Sequence, residues 1–67
     1  MTIGKMIKKK RTELGFSQRE LAERSGLSVT LIHYIESGER SPTAASIMKL
    51  AKALHCTVGE LFGEKAS

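Results

Sequence analysis

The same helix-start signal occurs three times in this chain, and it limits the fold to a set of short helices. An apolar residue comes first, a hydroxyl residue follows, and a second apolar residue stands four positions after the hydroxyl. The three occurrences are Phe16-Ser17-Leu21, Leu27-Ser28-Ile32 and Cys56-Thr57-Leu61. The hydroxyl accepts hydrogen bonds from free backbone N–H groups, and the two apolar side chains close a hydrophobic staple. We therefore predict helices at about 18–24, 29–36 and 58–62, with Glu20 and Glu60 completing capping boxes at the first and the last.

Two further helices follow from apolar positions spaced as on one helical face. The first stripe comprises Ile3, Ile7, Arg11 and Leu14, and the second comprises Ile47, Leu50, Ala51 and Leu54. They predict a helix over about 3–14, ended by Gly15 in a left-handed conformation, and a helix over about 44–54, capped by Thr43 or Ser41. Because no stretch alternates β-branched and polar residues, we predict an all-α, compact five-helix bundle that occupies residues 1–67 as one domain.

Composition narrows the class of protein. Eleven Lys and Arg against seven acids give a net charge of +4, which suits an anionic partner such as nucleic acid. The single cysteine, Cys56, cannot form an intrachain disulfide and fits a reducing cytoplasm, and with only His33 and His55 beside it a zinc site is not expected. The apolar runs are too short to span a membrane, and the basic N-terminus lacks the pattern of a secretory signal.

No group of residues indicates catalysis. A chain of 67 residues can hardly enclose a substrate pocket of roughly several hundred cubic ångströms. His55 and Cys56 are adjacent, but Cys56 belongs to the last staple and His55 is expected to end the fourth helix. We therefore expect a protein that is not an enzyme and that needs neither a cofactor nor a metal.

The segment between the second and third helices favours a helix-turn-helix. Its four residues, Ser25-Gly26-Leu27-Ser28, are too few for two helices to lie flat against each other with a relaxed loop. Ala22 is small where the helices would cross, and Gly26 can adopt the positive φ that the turn needs. A simple αα-hairpin is the alternative interpretation.

Residues spread over nearly the entire chain resemble the phage repressor and Cro type of helix-turn-helix domain, the Xre family. They are Ile3-Gly4, Ile7, Arg11, Gly15, Ser17-Gln18, Glu20-Leu21-Ala22, Gly26-Leu27-Ser28, Ile32, Glu36, Gly38, Pro42, Leu50-Ala51, Leu54 and Leu61. The resemblance implies a lambda-repressor-like bundle with a helix-turn-helix unit at about 17–36. It also implies a sequence-specific transcriptional regulator, in most cases a repressor, whose third helix reads operator half-sites in double-stranded DNA. Such proteins usually bind as homodimers, some of which form only on the DNA.

The outward face of the third helix and its surroundings carry the predicted DNA contacts. By resemblance, the base-reading positions are Val29, Thr30, His33 and Tyr34. The predicted phosphate contacts are Gln18, Arg19, Lys10, Ser37, Arg40, Ser41 and Thr43. Lys10 is expected to pack its stem and to extend its ammonium group near the second helix. Lys5, Lys8 and Lys9 are interpreted as a solvated face of the first helix.

Two structural roles come from the same resemblance. Arg11 lies on the apolar face of the first helix, where a buried arginine needs a partner, and the family pairs this position with that of Glu36. We therefore predict a structural ion pair between Arg11 and Glu36. Leu61 and Phe62, near the end of the chain, are predicted to form the dimer interface.

A second function is compatible with the same fold. The chain could be a protein-interaction module, or an antitoxin that binds a partner protein, with Val29, Leu31 and Tyr34 as an apolar docking patch. The net charge of +4 and the presence of Gln18 at the start of the second helix favour DNA.

Overall fold

The computed structural model describes residues 2–63, and these residues form five α-helices without a β-strand. The helices are α1 (Ile3–Glu13), α2 (Gln18–Ser25), α3 (Val29–Ser37), α4 (Ala44–Ala53) and α5 (Val58–Leu61). The all-α prediction is confirmed, and each predicted helix is present with ends that differ by one residue at most.

Every helix begins at a hydroxyl residue. Each of these side chains accepts a hydrogen bond from the backbone N–H three positions later, and the five residues are Thr2, Ser17, Ser28, Thr43 and Thr57. The choice between Ser41 and Thr43 is therefore decided in favour of Thr43. Thr2, which caps α1, is not among the predicted caps. A capped first turn stabilises a short helix by about 1 kcal/mol, which matters in helices of only four to eleven residues.

Only one of the two predicted capping boxes is complete. At α5 the Glu60 carboxylate accepts from the backbone N–H of Thr57, so both halves of the box are present. At α2 the Ser17 hydroxyl accepts from Glu20, but the Glu20 carboxylate instead forms an ion pair with Arg24 at 3.2 Å. The prediction for Glu20 is wrong because Arg24, one turn later on the same helix face, offers this carboxylate a cationic partner.

All five helices contribute to one core. The fully buried large side chains are Ile7, Leu21, Ile32, Ile35, Leu50 and Leu61, so each helix supplies at least one of them. Helix α3 packs against α1 and α2, α4 packs against α2 and α5, and α1 also contacts α5. Because α1 and α2 hold one side of α3, its opposite side stays open to solvent.

A glycine sets the distance between α1 and α3. Gly4 is buried, and a Cβ atom at this position would overlap the carbonyl oxygen of Ile35 and lie 3.2 Å from that of Glu36. The first turn of α1 therefore rests directly on the backbone of the last turns of α3. A larger residue would push the two helices apart.

The connection from α2 to α3 has the conformation predicted for it. Gly26 adopts φ 76°, and the N–H groups of Gly26 and Leu27 both donate to the Ala22 carbonyl, at 2.9 and 3.1 Å. Ala22 is itself buried in the core, and its small side chain at a close crossing of α2 and α3 stays a prediction. This left-handed residue lets the chain turn sharply into the next helix.

A left-handed residue also ends α4, but here it is not a glycine. His55 has φ 56°, its N–H donates to Lys52, and the next N–H, of Cys56, donates to Ala51 at 3.0 Å. These two bonds form a Schellman motif, which satisfies carbonyl groups at the end of the helix. The prediction that His55 ends this helix is confirmed.

Candidate nucleic-acid interface

Helix α3 presents a polar and solvent-accessible face opposite its buried side. Ile32 and Ile35 are 0% and 1% exposed and point into the core. On the other side Val29 is 41% exposed, and Thr30 and His33 are exposed beside it. These positions follow one another by one, three or four residues, so they share one helix surface. An exposed helix surface of this kind can enter the major groove of DNA.

Tyr34 occupies the edge of this face. Its side chain is half-buried, and its ring centroid lies 5.7 Å from that of His33 in a tilted arrangement. The structure therefore brings the four predicted base-reading residues to adjacent positions on α3, with Tyr34 less accessible than the other three.

Arg11 and Glu36 lie in direct contact between α1 and α3. Arg11 Nε donates to Glu36 Oε2 at 2.7 Å, and Nη2 donates to Oε1 at 3.0 Å, which is a bidentate arrangement. The side chains are only 11% and 4% exposed. The remaining guanidinium nitrogen, Nη1, donates to the Phe16 carbonyl at 2.7 Å. Arg11 thus ties the end of α3 both to α1 and to the loop that leads into α2.

Gln18 joins the same network at the start of α2. Its Nε2 donates to Glu36 Oε1 at 3.1 Å, so one carboxylate oxygen accepts from both Arg11 and Gln18. Gln18 is half-buried, while Arg19 next to it is exposed. The side chain of Gln18 is therefore held beside the N-terminus of α2, where free backbone N–H groups attract an anion.

A shallow depression lies between α1 and α3 beside Gln18. It has a volume of about 130 Å³ and is lined by Lys8, Gln18, His33, Glu36 and Ser37. The interpretation of Lys8 as part of a solvated face away from the interface is thus incomplete, because Lys8 is exposed and borders α3. The spacing in the sequence places Lys8 beside Arg11, three positions later on the same helix, but it does not show which neighbouring helix this side of α1 meets.

Lys10 lies in a different place from the one expected. Its ammonium nitrogen is 3.4 Å from Glu60 Oε2, so it pairs with α5 and not with the region near α2. Lys10 stands three positions after the buried Ile7 and one before Arg11, and this spacing turns it toward the side of α1 that α5 covers. Its predicted position near the second helix is wrong, and Lys8 takes its place there.

The loop from α3 to α4 is held close to the end of α3. The backbone N–H of Arg40 donates to the Tyr34 carbonyl at 3.2 Å, while the side chains of Arg40 and Ser41 are exposed. The Ser37 hydroxyl donates to the Tyr34 carbonyl, and the Thr43 hydroxyl caps α4. Arg40 and Ser41 are therefore available to a ligand, and the hydroxyl groups of Ser37 and Thr43 already have partners within the chain.

The two residues predicted for a dimer interface differ sharply in exposure. Phe62 is 59% exposed, whereas Leu61 is 0% exposed. The prediction for Leu61 is wrong, because this side chain is the inner half of the staple at α5 and is part of the core. The prediction for Phe62 remains a prediction.

Two groups with displaced pKa values lie at α5, away from the exposed face of α3. The backbone N–H of Thr57 stabilises the carboxylate of Glu60 and lowers its pKa, and Lys10 acts in the same direction. Burial raises the pKa of the Cys56 thiol, Lys10 lowers it by a smaller amount, and the negative charge of Glu60 adds to the rise. A thiol held in its neutral form behaves as a small apolar residue, consistent with its contact with the core.

Residues 2–63 contain no group of three or more His, Cys, Asp or Glu side chains placed to hold a metal ion. In the same part of the chain no helix is long and apolar enough to cross a membrane.

A family model described as Helix-turn-helix matches residues 7–61, which include most of α1 and all of the other four helices. The chain belongs to this family. Within it, the chain is of the phage repressor and Cro type, as the resemblance in its sequence indicated.

Relatives and solved structures agree with this assignment. The chain is 38% identical over 61 residues to the HTH-type transcriptional regulator PuuR of Escherichia coli strain K12. The aligned segment covers 91% of this chain and 33% of PuuR. The chain thus spans about a third of this relative. The restriction–modification controller protein C.AhdI from Aeromonas hydrophila superposes with a TM-score of 0.87 at 38% identity, over 90% of this chain and 91% of that one. The P22 c2 repressor in complex with synthetic operator 9T superposes with a TM-score of 0.86 at 30% identity, over 91% of this chain and 92% of the repressor chain.

Proposed function

We propose that this chain is a sequence-specific DNA-binding transcriptional regulator that represses by occupying an operator in double-stranded DNA. The observation that carries the proposal is the exposed face of α3, with Val29, Thr30 and His33 open to solvent and the start of α2 fixed beside it. The likeness to the P22 c2 repressor, which is solved on a synthetic operator, supports the same conclusion.

In this proposal α3 lies in the major groove. Val29 contacts a thymine methyl group, and Thr30 and His33 form hydrogen bonds with base edges, because all three side chains are exposed on the same surface of α3. Tyr34, half-buried at the edge of this face, contacts a base or the adjacent sugar and phosphate.

Phosphate groups on either side of the groove are bound by residues that surround α3. The proposed contacts are Lys8, Gln18, Arg19, Arg40 and Ser41, together with Ser37 and Thr43, whose hydroxyl groups must share or exchange their partners within the chain to bind a phosphate. Gln18 approaches one phosphate together with the backbone N–H groups at the N-terminus of α2, and its hydrogen bond to Glu36 keeps it in position. Lys8 and Arg40 both supply positive charge beside the C-terminal half of α3, which orients that end of the helix on the DNA backbone.

We further propose a homodimer on a two-fold operator. Two α3 helices in successive major grooves on one face of the DNA stand about 34 Å apart. Phe62 is the candidate contact between the two copies, because it is a large apolar side chain that is 59% exposed beyond the end of α5.

A regulator of this kind acts in the cytoplasm, where it associates with the nucleoid through DNA. Since α3 and its neighbours are assigned to DNA and no catalytic group was found on them, we propose no enzymatic activity.

The test combines selection of bound sequences from a random duplex pool with a salt titration on the selected site. We expect an enriched sequence with two half-sites, and an affinity that falls with salt by a log–log slope of about −0.9 for each phosphate neutralised. Thr30→Ala and His33→Ala should each relax the sequence preference at one position, at a cost of about 1–3 kcal/mol against the preferred base. Lys8→Gln should weaken all sequences alike and reduce the slope by about 1.

Lys5→Gln is the matched control for Lys8→Gln. It removes the same charge from an exposed position one turn earlier on α1, and it should change the slope less than Lys8→Gln does. No enrichment from the pool, together with a salt-insensitive complex with a protein, would refute the proposal in favour of the interaction module.

A further inference from the structure

A second basic surface lies at the other ends of α2 and α4, apart from the candidate interface. It is a depression of about 460 Å³ lined by Arg24, Ser25, Lys49, Lys52, Ala53 and His55, which we call the basic depression. It shares no residue with the exposed face of α3, the start of α2 or the loop from α3 to α4. Proposed contacts with an operator therefore leave it unexplained.

The side chains that line the basic depression carry positive charge without negative charge to balance it. Its lining includes three permanent cations and a histidine but no carboxylate. Among residues 2–63, Lys49 and Lys52 form no ion pair, although they are three positions apart on α4 and repel each other. The negative end of the α4 dipole accounts for Lys52, which is in the last turn. It does not account for Lys49, one turn earlier.

Arg24 can exchange its ion pair with Glu20 for a ligand in the depression with little loss of stability. It is paired with Glu20 at 3.2 Å and stacks over the Phe16 ring at 4.4 Å from its centroid. The side chains of Arg24 and Glu20 are 49% and 41% exposed, and an ion pair this exposed contributes little to stability. An anion in the depression can therefore compete with Glu20 for the guanidinium group.

We propose that the basic depression binds a small phosphate-bearing ligand of the size of a pyrophosphate or a nucleotide. Its volume of about 460 Å³ gives room for such a ligand on an open surface, although the depression is not an enclosed substrate pocket of the kind that a chain of this length was not expected to form. Lys49 and Lys52 supply point charges, and Arg24 supplies a planar group that binds two phosphate oxygens at once. Ser25 and Ala53 form the floor, since both are buried. The ligand would thus occupy a site on the domain that is separate from operator DNA.

The experiment is a titration of ¹⁵N-labelled protein with sodium pyrophosphate at low salt and neutral pH, without DNA, followed by amide NMR. We expect saturable shifts concentrated at residues 24–26 and 49–56, and not at residues 29–37. The variant Lys49→Gln/Lys52→Gln should bind about tenfold more weakly, because two exposed charge pairs are lost. Glutamine and lysine have similar helix propensities, and both positions are exposed, so the variant should fold.

Lys5→Gln/Lys9→Gln is the control, because it removes the same charge from exposed positions of α1. It should keep the affinity within about twofold, given the screening of distant exposed charges. Equal weakening in both variants, shifts spread over every basic surface, or no shifts at all would overturn the proposal. A non-operator DNA duplex that shifts residues 49–56 more strongly than pyrophosphate does would assign the surface to the DNA backbone and would also overturn it. Because no operator is present, these outcomes are independent of whether α3 reads DNA.

Discussion

Replacing Glu36 with alanine should remove a large part of the stability of this domain. Glu36→Ala leaves Arg11, 11% exposed, without the carboxylate that accepts from two of its nitrogens at 2.7 and 3.0 Å. Removing one partner of a buried pair costs about 3–5 kcal/mol. A chain of 67 residues has a total free energy of unfolding of roughly 3–10 kcal/mol at ordinary per-residue values. The loss is thus about three tenths of the stability at the least, and at the most it exceeds the whole, so that the variant would be unfolded.

Urea unfolding followed by far-UV circular dichroism measures this loss. Glu20→Ala is the matched control, because it removes an exposed carboxylate from Arg24 at 3.2 Å and should cost less than about 1 kcal/mol. Replacing both partners, as Arg11→Met/Glu36→Leu, should restore part of the stability, since no buried charge then lacks a counter-ion. A Glu36→Ala protein with the midpoint of the wild type, or a double variant that loses the sum of the two single losses, would refute the reasoning.

Three further perturbations test other parts of the fold. Gly4→Ala should destabilise by about 1–3 kcal/mol in thermal melts, because the new methyl group meets the Ile35 carbonyl, and this outweighs the gain of about 1 kcal/mol in helix propensity; a raised melting temperature would contradict the close approach. His55→Gly should stabilise by about 1 kcal/mol and raise the melting temperature by about 4–8 °C, since φ 56° strains any residue with a Cβ; no rise would mean that the turn is unstrained. Glu60 has a lowered pKa in the folded chain, so its contribution is present above its unfolded pKa and is lost as the pH falls through the folded value. The difference in urea midpoint between wild type and Glu60→Gln should therefore shrink from pH 7 to about pH 3, and a difference that is constant with pH would exclude the carboxylate as its source.

The helices were predictable because their signals are local. Ser17, Ser28 and Thr57 cap helices as the spacing of their apolar neighbours indicated, and Gly26 adopts the positive φ expected of it. Such signals depend on residues within one helical turn. The prediction for Glu20 failed although its signals are also local. Two neighbours, Ser17 and Arg24, compete for the same carboxylate, and the sequence alone does not show which of them it binds.

The candidate site was less predictable because it depends on how helices are rotated against each other. Lys8 and Lys10 both flank the apolar stripe of α1, and only the packing of α1 between α3 and α5 decides which lysine faces α3. Leu61 was assigned both to a staple and to a dimer surface, and full burial leaves it only the first role. The link from Gln18 to Glu36 was not foreseen, because it joins residues 18 positions apart whose meeting requires the assembled turn.

The shared oxygen of Glu36 has a consequence for the response of the domain to temperature. The same atom accepts from Arg11, which closes the core, and from Gln18, which stands at the edge of the proposed DNA surface. An intermediate with a loosened α1 would therefore also lose the alignment of α2 with α3. On the proposed function, operator occupancy and the folded fraction should decline together on warming, so that the domain releases DNA over the narrow range of a cooperative unfolding transition.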